Sequence, residues 1–172
     1  AVKDNHEGLE TLLIAVWNND THRFQGEAGQ ALLSLNSPTA LAALDATIDK
    51  FLTDKSLPPP PAPGQMILNG SQRFIRLILE STFLLYPKKE VDRFSALFTP
   101  ANQFSEYGRY CLQNLLSEII RRKQAGSPLD DRWPDTIVKL FDDYSLQYFA
   151  RLALSAWPKK EVADVLKRNG IS

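Results

Sequence analysis

Phe74-Ile75-Arg76-Leu77-Ile78-Leu79 and Phe149-Ala150-Arg151-Leu152-Ala153-Leu154 are each followed, a few residues on, by Pro-Lys-Lys-Glu-Val, at Pro87–Val91 and again at Pro158–Val162. Each hexapeptide reads as helical, and each proline reads as a restart. Proline breaks the helix it follows, yet it suits the first position of the next, where its missing N–H would have no partner. The duplication is therefore a helix–proline–helix unit present twice. The spacing from arginine to proline is longer in the first copy by about one helical turn, which lengthens a helix while keeping its apolar face in phase. On this alignment Leu77 and Leu152 are equivalent buried positions, and Arg76 and Arg151 interrupt the apolar faces at matching places.

Working outward, helical periodicity runs through nearly every segment. Leu9, Leu12, Leu13, Val16 and Trp17 follow the spacing of one helix face. Asp20 or Thr21 suits the cap of a second helix, with Ala28, Ala31, Leu32 and Leu35 on its apolar side. Ser37-Pro38 combines an N-cap residue with proline at the first helical position, and the helix it opens turns Leu41, Leu44, Ile48, Phe51 and Leu52 inward. Lys55–Gly64 holds four consecutive prolines and favours polyproline II, read here as a stiff spacer, with a ligand for a proline-recognising domain as the rival. Asn69-Gly70-Ser71 reads as a helix stop followed by a new cap. Beyond Pro87 come a face of Val91, Phe94 and Phe98, then a long helix from about Phe104 to Lys123 carrying Leu112, Leu115, Leu116 and Ile119. Gly126-Ser127-Pro128 ends it. Trp133-Pro134 opens another helix with Ile137, Leu140 and Phe141. The last pair buries Phe149, Leu152 and Ala153, then Val162, Val165 and Leu166, and Asn169-Gly170 closes the final helix. No strand pattern competes, so the fold is expected to be all-α.

The stretch Gly26-Glu-Ala-Gly-Gln-Ala-Leu-Leu-Ser-Leu-Asn-Ser-Pro-Thr-Ala-Leu-Ala-Ala-Leu44 resembles a HEAT-type repeat. It looks like the short kind found in phycobilisome-lyase-like bacterial scaffolds: an alanine-rich helix, a turn with Ser-Pro, then a helix carrying Ala-Leu-x-x-Leu. The resemblance is good over residues 9–52 and looser over 72–98 and 135–168. It implies a HEAT-like α-solenoid of stacked antiparallel helix pairs, each too poor in apolar surface to fold alone. The unequal repeat spacing leaves an irregular multi-helix bundle as the alternative. Residues 1–172 are read as one helical-repeat domain with the proline-rich spacer at 55–64.

Composition bounds the function. Lys plus Arg equals Asp plus Glu at 20 each, so the formal charge is zero, without the basic surplus typical of nucleic-acid binders. The longest apolar stretch, Ile75–Tyr86, is too short and too interrupted to span a bilayer. A single cysteine, Cys111, cannot form an intramolecular disulfide and points to a reducing, cytoplasmic setting; the start at Ala1 keeps a periplasmic chain with a cleaved signal in view.

Chemistry is sparse. His6 and His22 are the only histidines, and neither has a second ligand at metal-binding spacing. Cys111 reads as a buried structural thiol, and Asp135 with Asp142-Asp143 as helix-capping carboxylates. Neither a catalytic residue nor a cofactor or metal site is expected. The candidate partner-binding residues are the lysine pairs of the repeated motif, Lys88, Lys89, Lys159 and Lys160, with Arg76 and Arg151. The expected function is a non-enzymatic helical-repeat scaffold that binds another protein, with a bacterial adaptor or immunity protein as the narrower analogy. The alternatives are a chromophore-lyase-like subunit acting on antenna proteins, which the resemblance implies, and a nucleic-acid-binding HEAT-like protein.

Overall fold

The computed structural model describes residues 2–19, 24–53, 69–99 and 106–171. Every regular element among them is helical. In order they are α1 (Val2–Trp17), α2 (Gln25–Leu35), α3 (Pro38–Thr53), α4 (Asn69–Leu85), α5 (Glu90–Phe94), α6 (Glu106–Gln124), α7 (Trp133–Ile137), α8 (Tyr144–Leu154) and α9 (Lys159–Arg168). Short 3-10 turns extend α5 over Ser95–Leu97 and α7 over Val138–Leu140. The proline-rich spacer, His22 and the Asp20/Thr21 cap lie outside the described residues. Read from sequence as one run of repeats, the chain groups by its contacts into two compact units, one of 1–54 and 61–85, the other of 55–60 and 86–172.

In the first unit, α1 packs on α2, α2 on α3, and both α2 and α3 on α4. The Ser37-Pro38 junction forms as its residues dictate. Ser37 Oγ accepts the Ala40 N–H at 3.1 Å, Pro38 opens α3, and the Ser37 hydroxyl donates to the Glu10 carboxylate on α1. Asn36, left-handed at φ 51°, ends α2 just before it. The core is Trp17, Ala28, Leu32, Leu44, Ile48, Phe51 and Leu52, with Leu77 and Ile78 of α4. Gly29 is the close-approach point: a Cβ there would lie 2.2 Å from Leu77 Cδ2 and 2.5 Å from Trp17 Cζ3. A bare backbone at this position lets three helices meet. Two expectations need correction here. Leu9, Leu12 and Leu35, assigned to apolar faces, are exposed. Asn69-Gly70 belongs to the first turn of α4 rather than to a helix stop.

In the second unit, α6 packs along α8, and α7 contacts both α8 and α9. Leu112, Leu115, Leu116 and Ile119 of α6 are all buried, and Cys111 is buried beside them on the same helix. Gly126 (φ 69°) ends α6 as its sequence anticipates: Ser127 N–H bonds Arg122 C=O and Gly126 N–H bonds Lys123 C=O, the paired bonds of a Schellman motif. Gly170 (φ 69°) ends α9 in the same way, through Ile171 to Leu166 and Gly170 to Lys167. Asp143 caps α8, its carboxylate accepting the Ser145 and Leu146 N–H groups at 2.8 and 3.1 Å.

The principal correction falls on α8. Its buried stripe is Leu146, Ala150, Ala153 and Leu154, whereas Leu152 is 45% exposed. Leu77, its partner in the sequence alignment, is 2% exposed. Leu77→Ala should therefore cost roughly 2–5 kcal/mol in denaturant unfolding. Leu152→Ala should stay within about 0.5 kcal/mol of wild type, and equal losses at the two sites would contradict this packing.

Candidate functional site

The two Pro-Lys-Lys-Glu-Val motifs have different structures. In the first, Lys89 N–H bonds Tyr86 C=O at 3.0 Å across Pro87-Lys88, and Lys88 takes the left-handed conformation (φ 61°), so α5 starts only at Glu90. This is the geometry of a type II turn, with proline at its second position and a left-handed residue, usually glycine, at its third. In the second, Pro158 is extended (φ −57°, ψ 139°) and Lys159 is already helical, with Val162 N–H bonding Pro158 C=O at 3.1 Å. The helix thus begins one residue after proline in one copy and three residues after it in the other.

That shift decides where the glutamate goes. Glu161 is exposed on α9, while Glu90 is fully buried, at 0% exposure. Glu90 Oε1 accepts two hydrogen bonds from the stretch that opens α7: the Asp130 N–H at 2.7 Å and the indole N–H of Trp133, its first residue, at 3.0 Å. Phe94 and Phe98 pack their rings 5.9 and 6.3 Å from Trp133. Glu90 Oε2 is buried with no hydrogen-bond partner among the described residues. Around this contact lies an ion-pair cluster. Arg132 grips the buried Asp130 carboxylate with two N–H groups, at 2.9 and 2.6 Å, and reaches Asp92 Oδ1 at 2.6 Å. The Arg132 hydrogen bond holds Asp92 below the usual aspartate range. At Asp130 burial pushes upward, but the Arg132 side-chain and backbone bonds outweigh it and the net shift is downward. Sequence reading placed Phe94 and Phe98 on an apolar face and Trp133 at a helix start, but it gave Glu90 and Arg132 no role.

The other shifted carboxylates have similar causes. Arg168 lowers Asp135, helped by Asn169, and Arg121 with Arg122 lowers Glu118 against its burial. No group of three or more metal-ligating residues that could hold an ion occurs among the described residues. No helix among them is long and apolar enough to cross a membrane.

The candidate cations fall in separate settings. Arg76 lies on α4 in the first unit and pairs with Glu80 at 2.9 Å. The other five lie in the second unit. Lys88 and Lys89 are exposed in the turn before α5, and Lys159 and Lys160 are exposed in the first turn of α9. Arg151 is exposed on α8, its guanidinium 4.9 Å from the Phe141 ring centroid.

Arg151 belongs to a surface that the repeat alignment concealed. Tyr144, Tyr148 and Leu152 recur every fourth residue along α8 and are 94%, 68% and 45% exposed. Residues at this spacing share one helix face. Ser145, Arg151 and Ser155, also exposed, flank them. At the C-terminal end of α8, Lys123 Nζ lies 4.9 Å from the Trp157 ring centroid, just before Lys159 and Lys160. The face is thus apolar and aromatic along its length, with Arg151 beside it. No family model, curated protein or solved structure matches the chain.

Glu90→Ala should destabilise by roughly 2–4 kcal/mol, because the Asp130 N–H and the Trp133 indole lose a buried acceptor. Glu161→Ala should be near neutral, and thermal unfolding of the pair checks the contrast. The ion-pair cluster also sets an acid dependence. Carboxylates depressed in the folded state contribute fully above the ordinary carboxylate range, about pH 4, and lose that contribution as pH falls through their lower folded values. Wild type should therefore lose stability below about pH 4, and Arg132→Ala should flatten this dependence in denaturant titrations run across the acid range. An unchanged acid limb in that variant would exclude the cluster as its source.

Proposed function

We propose that this protein is a non-enzymatic helical scaffold, HEAT-like in its stacking, that binds a protein partner through the outer face of α8. The observation that carries this reading is the Tyr144/Tyr148/Leu152 stripe. Tyrosine offers a large contact area at low conformational cost and is enriched at interface hot spots, and a row of two tyrosines and a leucine in solvent forgoes burial that a partner would supply. Arg151 beside the stripe is another residue type favoured at such sites. Lys159 and Lys160, exposed at the start of the helix that follows α8, come soon after the stripe in the chain, which Lys88 and Lys89 do not.

Two further observations support it. The successive packing of α1, α2, α3 and α4 is the arrangement that stacked helical repeats use. Among the described residues the carboxylates with a resolved shift lie below their ordinary values in arginine pairs, whereas a general acid or base needs a value nearer the working pH. A bacterial adaptor or immunity role remains the analogy that suits a small neutral scaffold.

Immobilised full-length protein should retain a partner at fixed stoichiometry from its native lysate. Tyr148→Glu and Leu152→Glu should each abolish that retention while leaving the unfolding midpoint within a few degrees of wild type, as expected of exposed positions. Retention unaffected by both substitutions would place the binding surface elsewhere.

A further inference from the structure

We infer that the contact between α5 and the stretch that opens α7 is a latch: it opens as a unit, hydrating Glu90 and baring Trp133, while α6 and α8 stay folded. The latch is independent of the α8 face and of whatever binds there. One pentapeptide has two structures in this chain, and the second copy shows the relaxed one. There the helix starts directly after proline, no residue is left-handed, and Glu161 lies exposed in the first turn of α9. A carboxylate in that position faces the unpaired N–H groups of the helix start, which favours it. The first copy departs from this form in two unfavourable ways. Lys88 occupies the left-handed region (φ 61°), which a residue with a Cβ disfavours by a factor of about 5–30. Glu90 Oε2 is buried with no hydrogen-bond partner among the described residues, so that oxygen has given up water without a donor in return. Both penalties belong to the closed state, and both vanish when it opens.

The attachments that hold it closed converge on Asp130, Arg132 and Trp133. Glu90 accepts from the Asp130 N–H and the Trp133 indole, Phe94 and Phe98 close on the Trp133 ring, and Arg132 joins Asp130 to Asp92. Bonds in such a network are lost together, because each fixes the groups that the next one uses. With five residues and a 3-10 extension, α5 is too short to persist as a helix once detached. Among the described residues no other helix packs along α5 as α8 packs along α6. The buried α6 leucines, the packing of α6 on α8 and the contacts of α7 with α8 and α9 are made by other residues than these. A sparsely packed segment opens from the native state more readily than the core does. Opening bares Trp133 and Phe94, both fully buried when closed, so the latch sets how often that aromatic surface meets solvent.

Native-state hydrogen exchange of the full chain, read residue by residue by NMR, tests this. The Asp130 amide and the Trp133 indole N–H, both bonded to Glu90, should exchange through one common opening. That opening should be about a hundredfold or more easier than the one that frees the Leu115 and Leu116 amides of α6, and should depend less steeply on denaturant. Lys88→Gly removes the left-handed penalty and should make the shared opening rarer by about fivefold or more. Lys88→Val, whose branched side chain tolerates a left-handed backbone poorly, should make it more frequent. Lys88 is exposed, and circular dichroism of both variants verifies their fold. Equal protection of the two probes and the α6 amides at every denaturant concentration overturns the latch, since the contact would then part only in global unfolding. Different opening constants at Asp130 and Trp133 overturn it as well, and so does an opening that neither Lys88 substitution moves.

Discussion

The second unit depends on a carboxylate placed where carboxylates are costly. Glu90 is fully buried, and it is tolerable there because Oε1 receives two N–H donors, one from the backbone of Asp130 and one from the indole of Trp133. Those bonds join the start of α5 to the segment that opens α7. Around them Phe94 and Phe98 close on the Trp133 ring, and Arg132 fixes Asp130 and Asp92 on the outer side. A buried acceptor with two buried donors is a reciprocal requirement: remove one member and the others lose more than the contact was worth. Much of the unit's geometry follows from satisfying it, including the left-handed Lys88 that delays the start of α5 until Glu90 can point inward.

The helical class and most element positions were legible in the sequence, because their causes are local. Ser37-Pro38, Gly126 and Asn169-Gly170 mark helix ends through capping and left-handed backbone chemistry, and the α6 leucines follow the period of a single buried face. Legibility failed where two local readings were equally good. α8 is apolar on opposite sides, one stripe being Leu146, Ala150, Ala153 and Leu154 and the other Tyr144, Tyr148 and Leu152. Periodicity alone does not say which stripe faces the core, and alignment with Leu77 pointed to the wrong leucine. Preference for the aliphatic and alanine stripe over the tyrosines would have chosen correctly, since tyrosine keeps a hydroxyl that must be satisfied when buried.

The repeated pentapeptide shows a second limit. Pro-Lys-Lys-Glu-Val is compatible with a turn or with a helix start, and neither proline nor lysine decides between them. The outcome is set by residues some forty positions away, which sequence comparison of the two copies cannot reveal. The candidate surface was hidden for the same reason. Its lysines were visible as a repeated motif, while its tyrosines became visible only once α8 was seen to bury the other side.

The separation of Glu90 from its donors has a consequence for how the chain is made. Asp130 and Trp133 follow it by 40 and 43 residues. A nascent chain that has released α5 but not yet the α7 segment holds an acidic side chain whose docking site does not exist. Burying it at that stage would leave the carboxyl without the two donors that it has in the folded unit. The first unit, whose helices pack on near neighbours in sequence, has no such wait. Synthesis from the N-terminus therefore favours an order in which the first unit consolidates early.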